Sequence, residues 1–202
     1  MLGCCIFRVM KRGKKWVFLG FIMGLPLLLV IAFIFAAAFN LFHAHEHCMK
    51  AAGLGLATYA REHYGNFPSD TNGFPNALLQ LVKGDYCNVG EVTGPGDDGS
   101  AFKEALSKGK PIPEQKCSRI YVQGLSEHSN PQIAILWDKR STPGGDHFRR
   151  PWGERLREVC LVDGSMKVIS EQGWVAFSSN QIELLVREGM AKETARHYYE
   201  IN

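Results

Sequence analysis

The sequence predicts an α+β fold: a long N-terminal helix that begins in a membrane, a small antiparallel sheet packed on its exported part, and a closing C-terminal helix. Three observations carry this. Residues 16–42 form a run of 27 with no charged side chain. Met49, Ala52, Leu56 and Tyr59 then recur at three- and four-residue steps, the spacing of one helical face. Beyond residue 119 the pattern changes to short stretches rich in Ile, Val and Tyr, as strands require.

Roughly 20 apolar residues span a bilayer's hydrocarbon core, so the run is long enough to cross once with some tilt. Arg8, Lys11, Arg12, Lys14 and Lys15 precede it, and such clusters stay on the cytoplasmic side. The expected organisation is a basic cytoplasmic tail (1–15), a transmembrane helix (16–42) and an exported α+β domain (43–202). That places the chain in the cell (inner) membrane as a single-pass protein. A cleaved secretory signal is the alternative, with Ala36, Ala37 and Ala38 as its small residues. The apolar region before that point exceeds the roughly 7–15 residues of a signal peptide, which favours a retained anchor. Pro26 removes one backbone hydrogen bond and kinks the span, as membrane helices tolerate.

The chain carries 23 Lys and Arg against 20 Asp and Glu. Without the five tail cations, 18 basic residues (23 minus 5) face 20 acidic ones. The positive excess therefore marks topology and anionic headgroups, not a nucleic-acid partner.

With no turn cluster between the span and the next stretch, residues 16–64 read as one helix, about 74 Å long at 1.5 Å per residue. Gly65 and Pro68 end it. Gly53 and Gly55 each weaken a helix by up to about 1 kcal/mol, and close approach by a packed neighbour is the expected compensation. A short helix over 75–82 follows, with Ala77, Leu78 and Leu81 facing inward. Residues 90–113 are punctuated by Gly and Pro, and 101–108 allow two helical turns at most.

Strands are expected at 119–123, 132–138, 158–162 and 166–170. Asp163-Gly164 joins the last two as a hairpin turn, because both residue types tolerate positive φ. Ser178-Ser179-Asn180 caps a closing helix with Ile182, Leu185, Val186 and Met190 as its apolar stripe.

Of six cysteines, Cys4 and Cys5 lie in the cytoplasmic tail, and Cys48, Cys87, Cys117 and Cys160 in the exported part. An oxidising compartment permits three pairings of those four. Cys87 with Cys117 is preferred, since it would clip the Gly/Pro-rich excursion for roughly 3 kcal/mol. The alternative is four small buried hydrophobes.

The order Cys48-Met49, Leu54-Gly55-Leu56-Ala57, Tyr59-Ala60 and Tyr64-Gly65-Asn66-Phe67-Pro68 resembles the type IV pilin-like proteins, akin to type II secretion pseudopilins, of planctomycetes and verrucomicrobia. Ile135-Leu136-Trp137-Asp138, Gly145-Asp146-His147 and Cys160-Leu161-Val162-Asp163-Gly164 are similar to that family's C-terminal block, over about residues 40–190 in all. The resemblance implies a membrane-anchored, non-enzymatic subunit or accessory of a secretion or surface assembly, with other pilin-like or secretion-apparatus proteins as partners. Two features depart from it. Lys11-Arg12-Gly13 is followed by Lys14-Lys15-Trp16-Val17-Phe18, and no acidic residue comes before Glu46, so the family's processing site and assembly glutamate are missing. His147 also stands further from Asp163 than the family's histidine does. A tethered exported receptor for an envelope ligand or protein is the alternative function.

Each candidate site has a bland reading beside it. His43 and His47 share a helical face as two zinc or copper ligands would, but no third ligand is nearby and an interfacial polar band is preferred. Asp97 and Asp98 are a candidate calcium pair without the alternating oxygen ligands of a calcium loop. His147 near Asp146 and Asp163 suggests a hydrolase pair, yet no nucleophile elbow, phosphate loop, His-Glu-x-x-His or Cys-x-x-Cys occurs. No catalytic set and no cofactor are expected. Arg149, Arg150, Arg155 and Arg157 with Trp152 form a possible contact patch for an acidic partner, or simply a solvated run.

Overall fold

The structure is a computed structural model that describes residues 29–34, 48–143 and 153–200. It divides into two compact units, Met1–His43 and Ala44–Asn202. In the first, residues 29–34 are helical and their side chains exposed. Among the described residues no helix is long and apolar enough to cross a membrane; most of the expected span lies outside them.

The second unit opens with α1 (Met49–Glu62). The expected uninterrupted helix from residue 16 to 64 is not what the described residues show. Cys48 is extended at φ −67° and ψ 107°, so the helix starts afresh at Met49. Apolar spacing alone cannot register such a break, because neither proline nor glycine marks it. The far end closes as expected from Gly65, with one difference: Tyr64 itself takes the left-handed conformation at φ 57°. The Gly65 amide then donates to Ala60 O at 2.8 Å, the six-residue closure of a Schellman motif.

Both glycines of α1 have the close neighbours their cost demands. A Cβ on Gly53 would stand 2.7 Å from Cys160 Sγ, and one on Gly55 would stand 2.1 Å from Cys87 Sγ and 2.8 Å from Tyr86 O. Gly53 therefore lets α1 lie directly on the sheet, and Gly55 lets the 86–87 turn press against the helix.

Next come α2 (Phe74–Lys83), α3 (Val89–Val92), α4 (Ser100–Lys108) and a 3-10 turn at Glu114–Lys116. Pro75 starts α2 where a missing amide costs nothing, and α3 carries a complete capping box between Asn88 and Glu91.

The sheet contains β1 (Arg119–Tyr121), β2 (Ala134–Asp138), β3 (Thr142–Pro143), β4 (Arg155–Leu161) and β5 (Met166–Ser170), all antiparallel. β4 is central: β5 runs along one edge, while β2 and β3 share the other. At the β4–β5 turn only Gly164 is left-handed (φ 78°); Asp163 instead accepts the Ser165 amide at 2.8 Å. The Gly164 amide bonds Leu161 O at 2.9 Å and the Leu161 amide bonds Ser165 O at 2.9 Å. That is a three-residue loop with a glycine bulge, not a turn with two positive φ values.

Pleating sorts β4 onto two faces. Cys160 meets α1, whereas Val159, opposite Trp137, faces the C-terminal helices α5 (Trp174–Arg187) and α6 (Lys192–Glu200). α5 begins earlier than expected. Ser178 and Ser179 do not cap it but lie inside, bonding back to Val175 O at 3.0 and 2.8 Å. α6 is a second closing helix, polar except for Ala195, Tyr198 and Tyr199.

On this face Trp137 stacks on Tyr199 at 4.5 Å and lies 6.3 Å from Trp174. The Tyr199 hydroxyl is buried with no hydrogen-bond partner among the described residues. A buried hydroxyl left unpaired costs about 1–3 kcal/mol. Tyr199→Phe is therefore expected to stabilise the unit by about 1 kcal/mol, visible as a melting temperature roughly 2–4 °C higher.

Candidate functional site

The Gly/Pro-rich excursion is clipped, but not by sulfur. Cys87, Cys117 and Cys160 are free thiols. The expected Cys87–Cys117 bridge is not formed because Cys87 is turned into α1 against Gly55. The bland reading fits Cys87, Cys117 and Cys160, which are buried, and desolvation pushes each of these thiols up to about 12.

Three polar clamps replace the bridge. The Asn76 side chain accepts from the Ile112 amide at 2.9 Å and donates to Ile112 O at 3.2 Å. Ser118 Oγ donates to Asp97 Oδ2 at 2.6 Å and accepts from the Gly94 amide at 2.7 Å. Arg119, fully buried, pairs with Asp138 at 3.1 Å and donates to Glu91 O. Arg119 and Asp138 face each other across β1 and β2, and the Glu158 amide on β4 also donates to the Asp138 carboxylate. Burial raises the Asp138 carboxyl above its ordinary range, and the Arg119 guanidinium opposes part of that rise.

Beside these clamps lies an open cleft of about 480 Å³. Asp97, Asp98, Lys116, Ser118, Lys139 and Arg140 are among the residues that line it. The two aspartates do not act as a free calcium pair. Asp97 Oδ1 accepts the Gly99 amide at 2.9 Å, and Asp98 Oδ1 accepts the Ser100 amide at 2.9 Å. The Ser100 amide and hydroxyl also hold the Asp98 carboxyl below its ordinary range. Among the described residues no three His, Cys, Asp or Glu side chains gather as a metal site.

The expected basic patch divides. Arg149, Arg150 and Trp152 lie outside the described residues, as do His43, His47 and His147. Arg155 and Arg157 are spent within the fold. Arg155 donates to Ser141 Oγ and Ser141 O at 3.0 and 2.7 Å. Arg157 lies 4.4 Å from the Trp174 ring centroid, donates to Lys139 O at 2.8 Å and pairs with Glu171 at 3.2 Å. Their spacing on β4 hid this, since charges on a strand look solvated until the covering helices are known.

The Ser141 hydroxyl and Arg157 hold the Glu171 carboxyl below its ordinary value of 4.5. A depressed carboxylate contributes stability that is complete above that value and lost as pH falls through the folded one. Melting curves of the wild type and Glu171→Gln are therefore expected to differ at neutral pH and to converge as the pH falls below 4.5 and through the lower folded-state value.

The whole arrangement defines a protein class by architecture: an α+β unit with an antiparallel sheet between one α1-side layer and two C-terminal helices. Comparison with protein families, curated proteins and solved structures finds no match.

Proposed function

We propose that this chain is a membrane-anchored, non-enzymatic, pilin-like subunit or accessory of a secretion or surface assembly, held in the inner membrane with its α+β unit outside the cytoplasm. One observation carries the reading: α1 follows the apolar run in sequence and docks on the central strand of a small antiparallel sheet through a glycine, Gly53 against Cys160. The basic tail before the apolar run supports the orientation. Its partners are then other pilin-like or secretion-apparatus proteins, met through the apolar segment. Single cysteines placed along residues 27–40 and oxidised in native membranes test this. Crosslinked ladders repeating at helical spacing are expected; a monomer at every position overturns the reading.

A second reading, a tethered receptor for an envelope ligand, is favoured by the polar cleft between Asp98 and Lys139, which the packing of a structural subunit does not require.

A further inference from the structure

We infer that the cleft, as the ligand site of the tethered-receptor reading on which this rests, takes a small oxyanion: a carboxylate or phosphate group carried by an otherwise polar molecule. Lys139 is the reason. It follows Asp138 at the end of β2 and is only 9% exposed. Its backbone is pinned from two directions: the amide donates to Ser118 O at 2.9 Å, and the carbonyl accepts from Arg157 at 2.8 Å. The backbone is thus fixed, the side chain is mostly packed, and the residue lines the cleft.

An ammonium has three donors. That of Lys139 makes no hydrogen bond or ion pair among the described residues. The packed residue leaves its ammonium accessible to solvent and without a protein partner among the described residues, so its donors are open to an incoming acceptor. Lys116 and Arg140, both exposed on the same cleft, likewise have side chains without an ion pair among the described residues. By themselves they would be ordinary solvated cations. With Lys139 they bring three cations to one cleft.

The acids across the cleft do not cancel this. Asp97 has both carboxylate oxygens committed, to the Gly99 amide and the Ser118 hydroxyl. Asp98 accepts the Ser100 amide through Oδ1 and is exposed. The cations are therefore the available groups, and the acids set an outer limit on how much negative charge can enter. The volume, about 480 Å³, suits a small molecule or one polar end of a larger one.

Equilibrium binding to the full-length, detergent-solubilised chain tests this, with inorganic phosphate and succinate as the two probes. Saturable binding of at least one is expected. Tighter phosphate identifies a phosphorylated source, and tighter succinate a carboxylate source. Lys139→Met keeps the packed stem and is expected to weaken binding about tenfold, a loss typical of removing one charged partner. Asp98→Asn keeps the Oδ1 acceptor for Ser100 while removing charge, and is expected to strengthen binding by about threefold. A lysine with only a packing role would leave both values unchanged. Lys139→Met should also melt no lower than the wild type, so lost binding is not lost folding. Equal affinity in the wild type and Lys139→Met, or no saturable binding of either probe, overturns the oxyanion site. The receptor reading fails separately: it falls if Lys116 reacts with a membrane-impermeant amine reagent only after cells are lysed.

Discussion

Gly55→Ala is expected to destabilise the α+β unit by about 3 kcal/mol, measured by chemical denaturation. Helix propensity alone predicts the reverse, a gain of up to about 1 kcal/mol from replacing glycine with alanine inside α1. Packing decides the sign. The new methyl would stand 2.1 Å from Cys87 Sγ and 2.8 Å from Tyr86 O, far inside contact distance. Overpacking of a tight core costs about 1–3 kcal/mol, and the carbonyl belongs to backbone that cannot rotate away. Cys87→Ala in the same chain removes the sulfur but not the carbonyl, so rescue is partial.

Gly53→Ala offers the internal control. Its methyl would meet only Cys160 Sγ, at 2.7 Å. Combining it with Cys160→Ala exchanges one small group for another in the same space, and a favourable coupling of more than about 1 kcal/mol is expected. Additive single effects would show that the helix and sheet do not touch there.

The second large effect is at the buried ion pair. Asp138→Ala leaves the Arg119 guanidinium in the core with its carboxylate gone, and such a loss costs about 3–5 kcal/mol. Since domains of this size are stable by only about 5–15 kcal/mol, the variant is expected to melt far below the wild type or fail to accumulate. Asp138→Asn retains an oxygen for Arg119 Nε, now 3.1 Å from Asp138 Oδ1, and for the Glu158 amide. It is expected to cost less than half as much. If the two variants prove equal, charge and not hydrogen-bond geometry governs the pair.

Much of the fold was legible because its signals are local. The apolar period of Met49, Ala52 and Leu56 marks the buried face of α1, and the Asp-Gly step places the β4–β5 turn. The two glycines of α1 announced close neighbours without naming them. What escaped depends on residues far apart in the chain. Arg119 and Asp138 each read as surface charges until β1 and β2 are paired. Lys139 is one more lysine until Ser118 and Arg157 fix its backbone. The break at Cys48 carries no sequence punctuation, and β3 is two residues long, too short for any period. α6 buries only Ala195 and Tyr198 fully, too thin a stripe to stand out in a polar segment.

The position of β4 sets the order in which this unit can assemble during synthesis. α1 leaves the ribosome early, yet the strand it rests on arrives about a hundred residues later, and β2 and β3, which also pair with that strand, precede it. Until then α1 can pack only on the short helices α2 and α3 that follow it, and the part of its apolar face that meets β4 stays uncovered. A truncation before residue 155 removes β4 and β5 together and leaves β2 and β3 without the strand they share.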